Sequence, residues 1–424
     1  MGTTVKTAVI LAAGQGKRMG AETPKPLLRV AGREILYRTL SKLRALGVER
    51  FVLVTQPRFR EEFEEFLSKH GFEAEIVLNP YPERGNGYSL YLAREVVDGP
   101  FFLVMGDHIY GDGFLAKAIR GKGLVVDPAP RYADRDEATK VRISGGRVVG
   151  IGKGLEDPDG YDTGFFILEP AIFEVAERLV AVEETVELSR IVEGARIPVH
   201  EVTDEFWMDV DTPEDLARVR AALVRLAVKG KGDGLVSRLL NRRISTLISR
   251  FLVERISPWT ATWISFGTGL LAAGLNAISP IAGAVVYQLS SILDGVDGEI
   301  ARASLRTSPE GGWLDSILDR YVDISYLLSL ALVFRVPASL WPVVALALLG
   351  SVLVSYSTER YRGAFGVDMY ERVPALRYLP GKRDERIFLS MVFVLAGLIE
   401  ELFLVLAVVT HLRVLLTVLL GLHA

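Results

Sequence analysis

The chain contains no cysteine. Disulfides, thiolate metal sites and cysteine nucleophiles are therefore excluded. Asparagine and glutamine are scarce, with only Asn79, Asn86, Asn241 and Asn276, and Gln15, Gln56 and Gln288. Together with the many Arg and Glu residues, this points to a heat-adapted source. Histidine is scarce as well: His70, His200, His411 and His423 show no metal-ligand spacing, and His108 reads as a neighbour of Asp107 rather than a ligand. No charge of one sign dominates. A net charge of -3 over 424 residues leaves no global basic field for nucleic acid. A signal peptide is not expected either. The apolar run 8–13 is too short for one and flows into Gly14-Gln15-Gly16-Lys17-Arg18, which reads as a buried strand ending in a glycine loop.

What is abundant is apolar surface. Half of the residues, 50%, are hydrophobic, and mean hydropathy is positive. The chain changes character near residue 230. Before it, short apolar runs at Thr7–Leu11, Arg50–Thr55, Glu75–Leu78 and Phe101–Met105 read as strands. Amphipathic stretches at 35–46, 59–70 and 89–97 read as helices. Such alternation predicts an α/β, Rossmann-like domain over 1–230 with a mostly parallel sheet. Glycine-rich 229–234 reads as a linker. Over 235–256, Arg238, Arg242, Arg243, Arg250 and Arg255 alternate with Leu and Ile. That pattern predicts an amphipathic helix on a membrane surface, with a soluble helix as the alternative.

From 257 to 424 the apolar stretches 259–277, 280–300, 312–334, 338–358, 387–400 and 402–422 each approach the ~20 residues that cross a bilayer. An all-α domain of six transmembrane helices is expected, with 387–400 the shortest span. Arginines concentrate before the first span, at 302–306 and at 359–386. The positive-inside tendency then puts those segments and the N-terminal domain in the cytoplasm.

Charged groups inside such spans mark function. The chain reads Asp294-x-x-Asp297-Gly298-x-x-Ala301-Arg302, then Gly311-x-x-x-Asp315-x-x-x-Asp319. Helical spacing of three and four puts each aspartate pair on one face. Two such faces brought together form a four-carboxylate cage for a hard divalent cation such as Mg2+, with Mn2+ as a substitute. Gly298 and Gly311 permit close approach, and Arg302 can hold a phosphate in two-pronged fashion. A helix-capping cluster and a transporter's ion pathway are the alternatives. Asp323, one turn beyond Asp319, either supports the cluster or pairs with Arg320. Arg413, deep in the last span, needs a partner that the sequence does not name. At 359–386, the dense run 381–386 suggests that Arg360, Lys382, Arg383 and Arg386 bind the phosphate of an anionic acceptor, against plain lipid contact.

This signature resembles, residue for residue, that of the CDP-alcohol phosphotransferases, over about 235–424. The resemblance implies that Asp294, Asp297, Asp315 and in part Asp319 bind metal, and that Asp319 is the general base. It also implies that Gly298, Ala301, Arg302 and Gly311 contact the nucleotide, and that the membrane half forms a homodimer.

In the first half, Leu11-Ala12-Ala13-Gly14-x-Gly16-x-Arg18, followed by Pro24-Lys25-Pro26-Leu27, is neither a Rossmann fingerprint nor a Walker A loop. It resembles the sugar-phosphate nucleotidyltransferases, over about 5–225. Backbone amides of 14–16 can cradle a triphosphate, while Arg18 and Lys25 supply charge as pyrophosphate leaves. The resemblance makes Asp107 a metal ligand, with Asp209 or Asp211 as the second. It places Asn86 and Ser89 at the base and ribose, and Asp162 and Thr163 at the substrate. Thr212 can also cap the helix that follows.

One half activates an alcohol phosphate with a nucleotide, and the other consumes CDP-alcohols. The pairing resembles the bifunctional enzymes of di-myo-inositol phosphate synthesis. It implies CTP, inositol 1-phosphate and CDP-inositol as ligands. Another alcohol (choline or glycerol phosphate), a lipid acceptor, a CDP-lipid donor and a non-catalytic membrane-anchored regulator remain the alternatives.

Overall fold

A computed structural model describes residues 5–14, 23–228 and 233–423. The chain divides into two compact units, 1–219 and 220–424.

The first unit opens with β1 (Thr7–Leu11), a small β2 (Arg29–Val30) and β3 (Arg33–Glu34) ribbon, and α1 (Ile35–Ala45). It continues through β4 (Arg50–Thr55), α2 (Arg60–His70), β5 (Glu75–Leu78), α3 (Asn86–Leu92), β6 (Phe101–Met105), β7 (His108–Tyr110) and α4 (Asp112–Ala118). Then follow β8 (Gly123–Asp127), β9 (Lys140–Ser144), β10 (Arg147–Gly152), β11 (Gly160–Leu168), α5 (Ile172–Val180), α6 (Leu188–Ala195), β12 (Val199–Glu201) and β13 (Trp207–Asp209). Helix α7 (Pro213–Leu226) begins in this unit.

The four expected strands form with the expected limits. Strand β1 lies between β4 and β6, parallel to both, with Leu11 level with Val54 and Met105. The order therefore reverses at β1, and the chain ends of β1 and β6 open the crevice where α/β sheets bind ligands. The expectation of a mostly parallel sheet holds for this half alone. Strand β11 runs antiparallel to β6 and β8, and β9 pairs antiparallel with β10 through the turn at Gly145 and Gly146. Residues 128–160 contain no helix, and parallel neighbours need a crossover connection.

Apolar side chains pack on both faces of the sheet. Phe165 is fully buried on one of them. Its ring lies 5.5 Å from Phe102, 5.7 Å from Tyr110 and 6.2 Å from Phe114, centroid to centroid. These contacts brace the ribbon that carries His108.

The second unit is helical. A π-helical turn at Ser237–Asn241 runs into α8 (Arg242–Leu252). The remainder is α9 (Pro258–Leu275), α10 (Pro280–Ala303), α11 (Pro309–Val333), α12 (Trp341–Phe365), the short α13 (Met369–Arg372), α14 (Arg383–Ala396) and α15 (Ile399–Leu422). Three of these helices start with Ser-Pro. The hydroxyls of Ser257, Ser279 and Ser308 accept from the backbone amides of Thr260, Ala282 and Gly311, and proline takes the first helical position, where no amide is needed. Close packing uses small residues: a Cβ on Gly269 would meet Val322 at 2.4 Å, and one on Gly350 would meet Thr410 at 1.9 Å.

This unit is partly inside out. Gln288, Ser290, Ser291, Glu299, Asp323 and Arg413 are buried, while Leu271, Ile281, Leu349, Val408 and Leu415 face outward. Among the described residues, Ala338–Phe365 and Ile399–Leu422 are long and apolar enough to cross a membrane. Helix α8 turns Ser245 and Ser249 inward and leaves Leu247 and Phe251 exposed.

Phe165→Ala should destabilise the first unit by about 3–5 kcal/mol, as expected for an excised core aromatic. Denaturant unfolding of the full chain checks this; a loss below about 1 kcal/mol would mean that the aromatic cluster is not a packed core.

Candidate active sites

In the first unit the site grows from the ends of β1 and β6. A Cβ at residue 106 would lie 2.7 Å from the carbonyl oxygen of Leu11, so only glycine lets the two chain ends close up. Asp107 follows directly. Lys25, on the 3-10 turn Lys25–Leu27, reaches between two carboxylates, with its Nζ 2.5 Å from Asp211 Oδ1 and 3.6 Å from Asp107 Oδ2. His108 Nδ1 lies 2.9 Å from the other oxygen of Asp107. Strand β13 pairs with β7 so that Asp209 stands opposite His108. An irregularity of β11 between Asp162 and Phe166 turns the Asp162 side chain back, where it accepts from the Gly164 amide at 2.8 Å.

Two neighbouring cavities share Asn86, Met105 and Asp107. One, of about 100 Å³, is lined by Leu11, Ala12, Ala13, Gly14, Lys25 and Ser89. The other, of about 370 Å³, is lined by Asp162, Lys153, Ser189, Asp209 and Asp211. The expected nucleotide-side and substrate-side residues thus fall largely into two adjoining chambers with Asp107 between them. Thr163 is an exception: it is fully buried and its hydroxyl donates to the Val125 carbonyl. Gly16 and Arg18 lie outside the described residues. Thr212 does cap α7, accepting from the Asp215 amide; Asp215 accepts from the Thr212 amide in return, a reciprocal capping box.

The charges are mutually arranged. Burial pushes Asp107 up, but the hydrogen bond and charge of His108, together with Lys25, outweigh it and hold the carboxyl at about 2. Burial pushes His108 down, yet Asp107, Asp209 and Asp162 raise it above its usual value. Asp162 is lifted by burial to about 6, against the Gly164 amide and His108.

In the second unit, Asp294, Asp315 and Asp319 bring carboxylate oxygens within 4.8 Å of one another. Oxygen ligands held ~2.0–2.6 Å from a hard cation lie up to roughly twice that apart, so these groups fit one. Asp297 stands aside from the three. It accepts from the Thr262 hydroxyl at 2.7 Å and from the Gly298 amide. Arg302 donates through Nε to the Ala227 carbonyl.

A cavity of about 260 Å³ opens beside Asp294 and Asp319, lined also by Asn241, Arg242, Ser291, Lys382 and Arg383. Arg360 and Arg386 lie outside it. Arg360 is exposed on α12, and Arg386 is buried, donating to the carbonyls of Gly381 at 2.9 Å and Ser351 at 3.3 Å. The arginine-rich helix contributes to this wall. Arg242 grips Asp233 with two hydrogen bonds of 2.8 and 2.9 Å. Ser245 and Ser249 each donate to fully buried Glu299 at 2.6 Å.

Residues 8–125 match the MobA-like NTP transferase domain, and residues 259–419 match the CDP-alcohol phosphatidyltransferase family. A protein of Thermococcus kodakarensis named bifunctional IPC transferase and DIPP synthase is 55% identical, covering 97% of this chain and 96% of its own length. Its namesake from Aquifex aeolicus is 50% identical over 98% of this chain and 97% of that protein. That from Archaeoglobus fulgidus is 49% identical over 97% and 84%. The chain belongs to the family of bifunctional IPC transferases and DIPP synthases.

Within this family member, sequence reasoning did not single out Thr262, Asp233 or Glu299. Glu299 carried a signal. It is a carboxylate inside a long apolar run, and Ser245 and Ser249, four apart on one helix face, are suited to receive it.

Asp162 yields a pH test. Its folded value, about 6, exceeds the unfolded 3.8, so the native state holds a proton that the unfolded chain has lost. That contribution is full below the unfolded value and disappears as pH rises through about 6. Asp162→Asn lacks it. The unfolding midpoint of the first unit in Asp162→Asn should therefore gain on the unsubstituted chain between pH 4 and 7. A difference independent of pH would contradict the assignment.

Proposed function

We propose that the first unit joins CTP to inositol 1-phosphate, giving CDP-inositol and pyrophosphate. The second unit then transfers inositol phosphate from CDP-inositol to a second inositol 1-phosphate, releasing CMP and forming di-myo-inositol phosphate-phosphate. The observation that carries this reading is that one chain holds both a Lys25–Asp107 chamber and the Asp294, Asp315, Asp319 cluster, and matches two-activity relatives from end to end.

In the first site, a phosphate oxygen of the alcohol phosphate attacks the α-phosphorus of CTP, and the bond to pyrophosphate breaks. Lys25 supplies positive charge to the separating phosphates. Asp107, with Asp209 or Asp211, would hold Mg2+ or Mn2+. In the second site Asp294, Asp315 and Asp319, with Asp297 adjacent, would hold the cation. When bound, it offsets negative charge on the phosphates. Asp319 takes the proton of the acceptor hydroxyl as its oxygen attacks phosphorus and CMP departs. Lys382 and Arg383 line the cavity and suit an anionic acceptor. Arg302 attends the CDP moiety.

In this reading α9, α10, α11, α12, α14 and α15 all cross the cell membrane, and α8 lies in its cytoplasmic surface. Outward-facing Leu247 and Phe251 and the arginines of α8 support that placement. Both sites then face the cytoplasm, and the membrane half pairs as a homodimer.

The test is an assay of the full chain in detergent with CTP, Mg2+ and inositol 1-phosphate, followed by phosphorus NMR. CDP-inositol should give way to a water-soluble phosphodiester that also carries a phosphomonoester. A product extracted into organic solvent would reassign the acceptor to a lipid. Asp319→Asn should lower transfer by at least about a hundredfold, the range of a lost general base, and leave CDP-inositol formation intact. Loss of both activities would refute two independent sites. Asp107→Asn should stop pyrophosphate release while transfer from supplied CDP-inositol continues.

A further inference from the structure

Asp323 belongs to no part of the signature, yet it is buried one turn beyond Asp319 on α11 and more densely bonded than the aspartates of the cluster. Tyr287 donates to its Oδ1 at 2.9 Å. Arg383 Nε lies 3.1 Å from Oδ1 and 3.3 Å from Oδ2. Arg386 Nη2 lies 3.5 Å from Oδ2. Tyr287 is itself fixed by stacking on Tyr326, ring centroids 3.8 Å apart.

The other edge of the Arg383 guanidinium reaches the cluster. Its Nη1 is 2.8 Å from Asp319 Oδ1 and 3.2 Å from Asp294 Oδ1. One planar cation therefore spans two environments, with its Nε edge on Asp323 and its Nη1 on two of the three clustered carboxylates. A guanidinium has a rigid fork of donors, so whatever fixes one edge sets the direction of the other. The same positive charge also competes with any divalent cation for Asp294 and Asp319. Asp323 carries the countercharge that draws it away from the cluster, toward the buried side.

We propose that Asp323 is a positioning residue. It holds one edge of Arg383 on the buried side of the cluster, so that the guanidinium orients Asp319 and meets the acceptor phosphate without taking the carboxylate oxygens from the cation. This rests on the reading that the cluster holds a divalent cation and that Asp319 takes the proton.

Two substitutions should then move cation affinity in opposite directions. Without its buried partner, Arg383 in Asp323→Asn pairs wholly with Asp294 and Asp319, and cation binding weakens. Without the competing charge, Arg383→Gln binds the cation at least as tightly as the unsubstituted chain. Both lose transfer, because Asp319 is no longer oriented. A purely structural role for Asp323 would make both variants bind the cation less well.

The experiment measures Mn2+ binding to the full chain in detergent by electron paramagnetic resonance, in an Asp107→Asn background that silences the first site. Transfer and CDP-inositol formation are measured without that background change. Asp323→Asn should raise the Mn2+ Kd of the membrane unit about tenfold and lower kcat for transfer about 10–100-fold, the range seen when a ligand's supporting partner is removed. CDP-inositol formation should be unchanged. Arg383→Gln should show an equal or lower Mn2+ Kd, a higher KM for the anionic acceptor and a lower kcat. The double variant should return Mn2+ affinity to within about threefold of the unsubstituted chain, the mark of two coupled groups.

An unchanged Mn2+ Kd in Asp323→Asn, or weaker binding in both single variants, overturns the proposal. If Asp323→Asn does not fold, Asp323→Glu, which keeps the charge, and Arg383→Gln decide: weaker Mn2+ binding in Arg383→Gln alone is enough to overturn it. Asp315→Asn separates this from the underlying reading. If that change leaves Mn2+ binding untouched, the cluster is not a cation site, and the fault lies there rather than with Asp323.

Discussion

Carboxylates crowded together in a half-buried site repel one another, and much of the helical unit is arranged to answer that repulsion. Asp294, Asp315 and Asp319 draw their oxygens within 4.8 Å of one another. Like charges held this close destabilise one another unless a cation sits among them. The compensation comes from α14, whose first residue, Arg383, points into the cluster. The placement of α14 is in turn set by its own first turn. Asp384 and Glu385 accept from the amides of Ser237 and Leu235, and Lys382 donates to the carbonyl of Asp233. The segment leading into the amphipathic helix is thus tied to the same helix start that carries the compensating arginine.

The first unit solves a related problem with different materials. Asp107, Asp209, Asp211 and Asp162 gather at strand ends rather than on helix faces, and Lys25 and His108 supply the countercharge. A strand end exposes few side chains and needs its neighbours delivered by loops. Hence the short β7–β13 ribbon, the irregularity in β11 and the glycine at 106. A helix pair can present carboxylates three and four apart with no loop at all. Each scaffold explains the form of its own motif: scattered single residues in the first unit, and a compact periodic signature in the second.

This difference also explains what could be read in the sequence. The four parallel strands β1, β4, β5 and β6, the aspartate signature and the two-activity organisation were legible because each is local. The antiparallel half of the sheet was not, since pairing partners of β11 lie far away in the chain. The cavity walls divide in the same way. Lys382, Arg383 and Arg386 share one dense basic run, and Arg360 lies in the same connection, so the sequence does not separate them. Only packing turns Arg386 onto backbone carbonyls and leaves Arg360 on an exposed face. The family resemblance places Thr163 at the substrate, whereas the register of β11 buries it against Val125. Partners such as Thr262 for Asp297 join helices whose contact no periodicity announces.

Arg413 shows how a charge in an apolar helix becomes intelligible through what it holds. Its guanidinium donates to the carbonyls of Leu379, Pro380 and Leu376 and to the Tyr370 hydroxyl. No carboxylate appears among these partners. Peptide carbonyls in this turn lack the regular pairing of a helix or strand, and an arginine offers five donors to meet them. The turn it satisfies leads through Gly381, at φ +97, into Lys382 and Arg383. A residue on the last helix therefore fixes the backbone that delivers the cluster's countercharge. Shortening that side chain would release the turn, and with it the direction from which Arg383 approaches the aspartates.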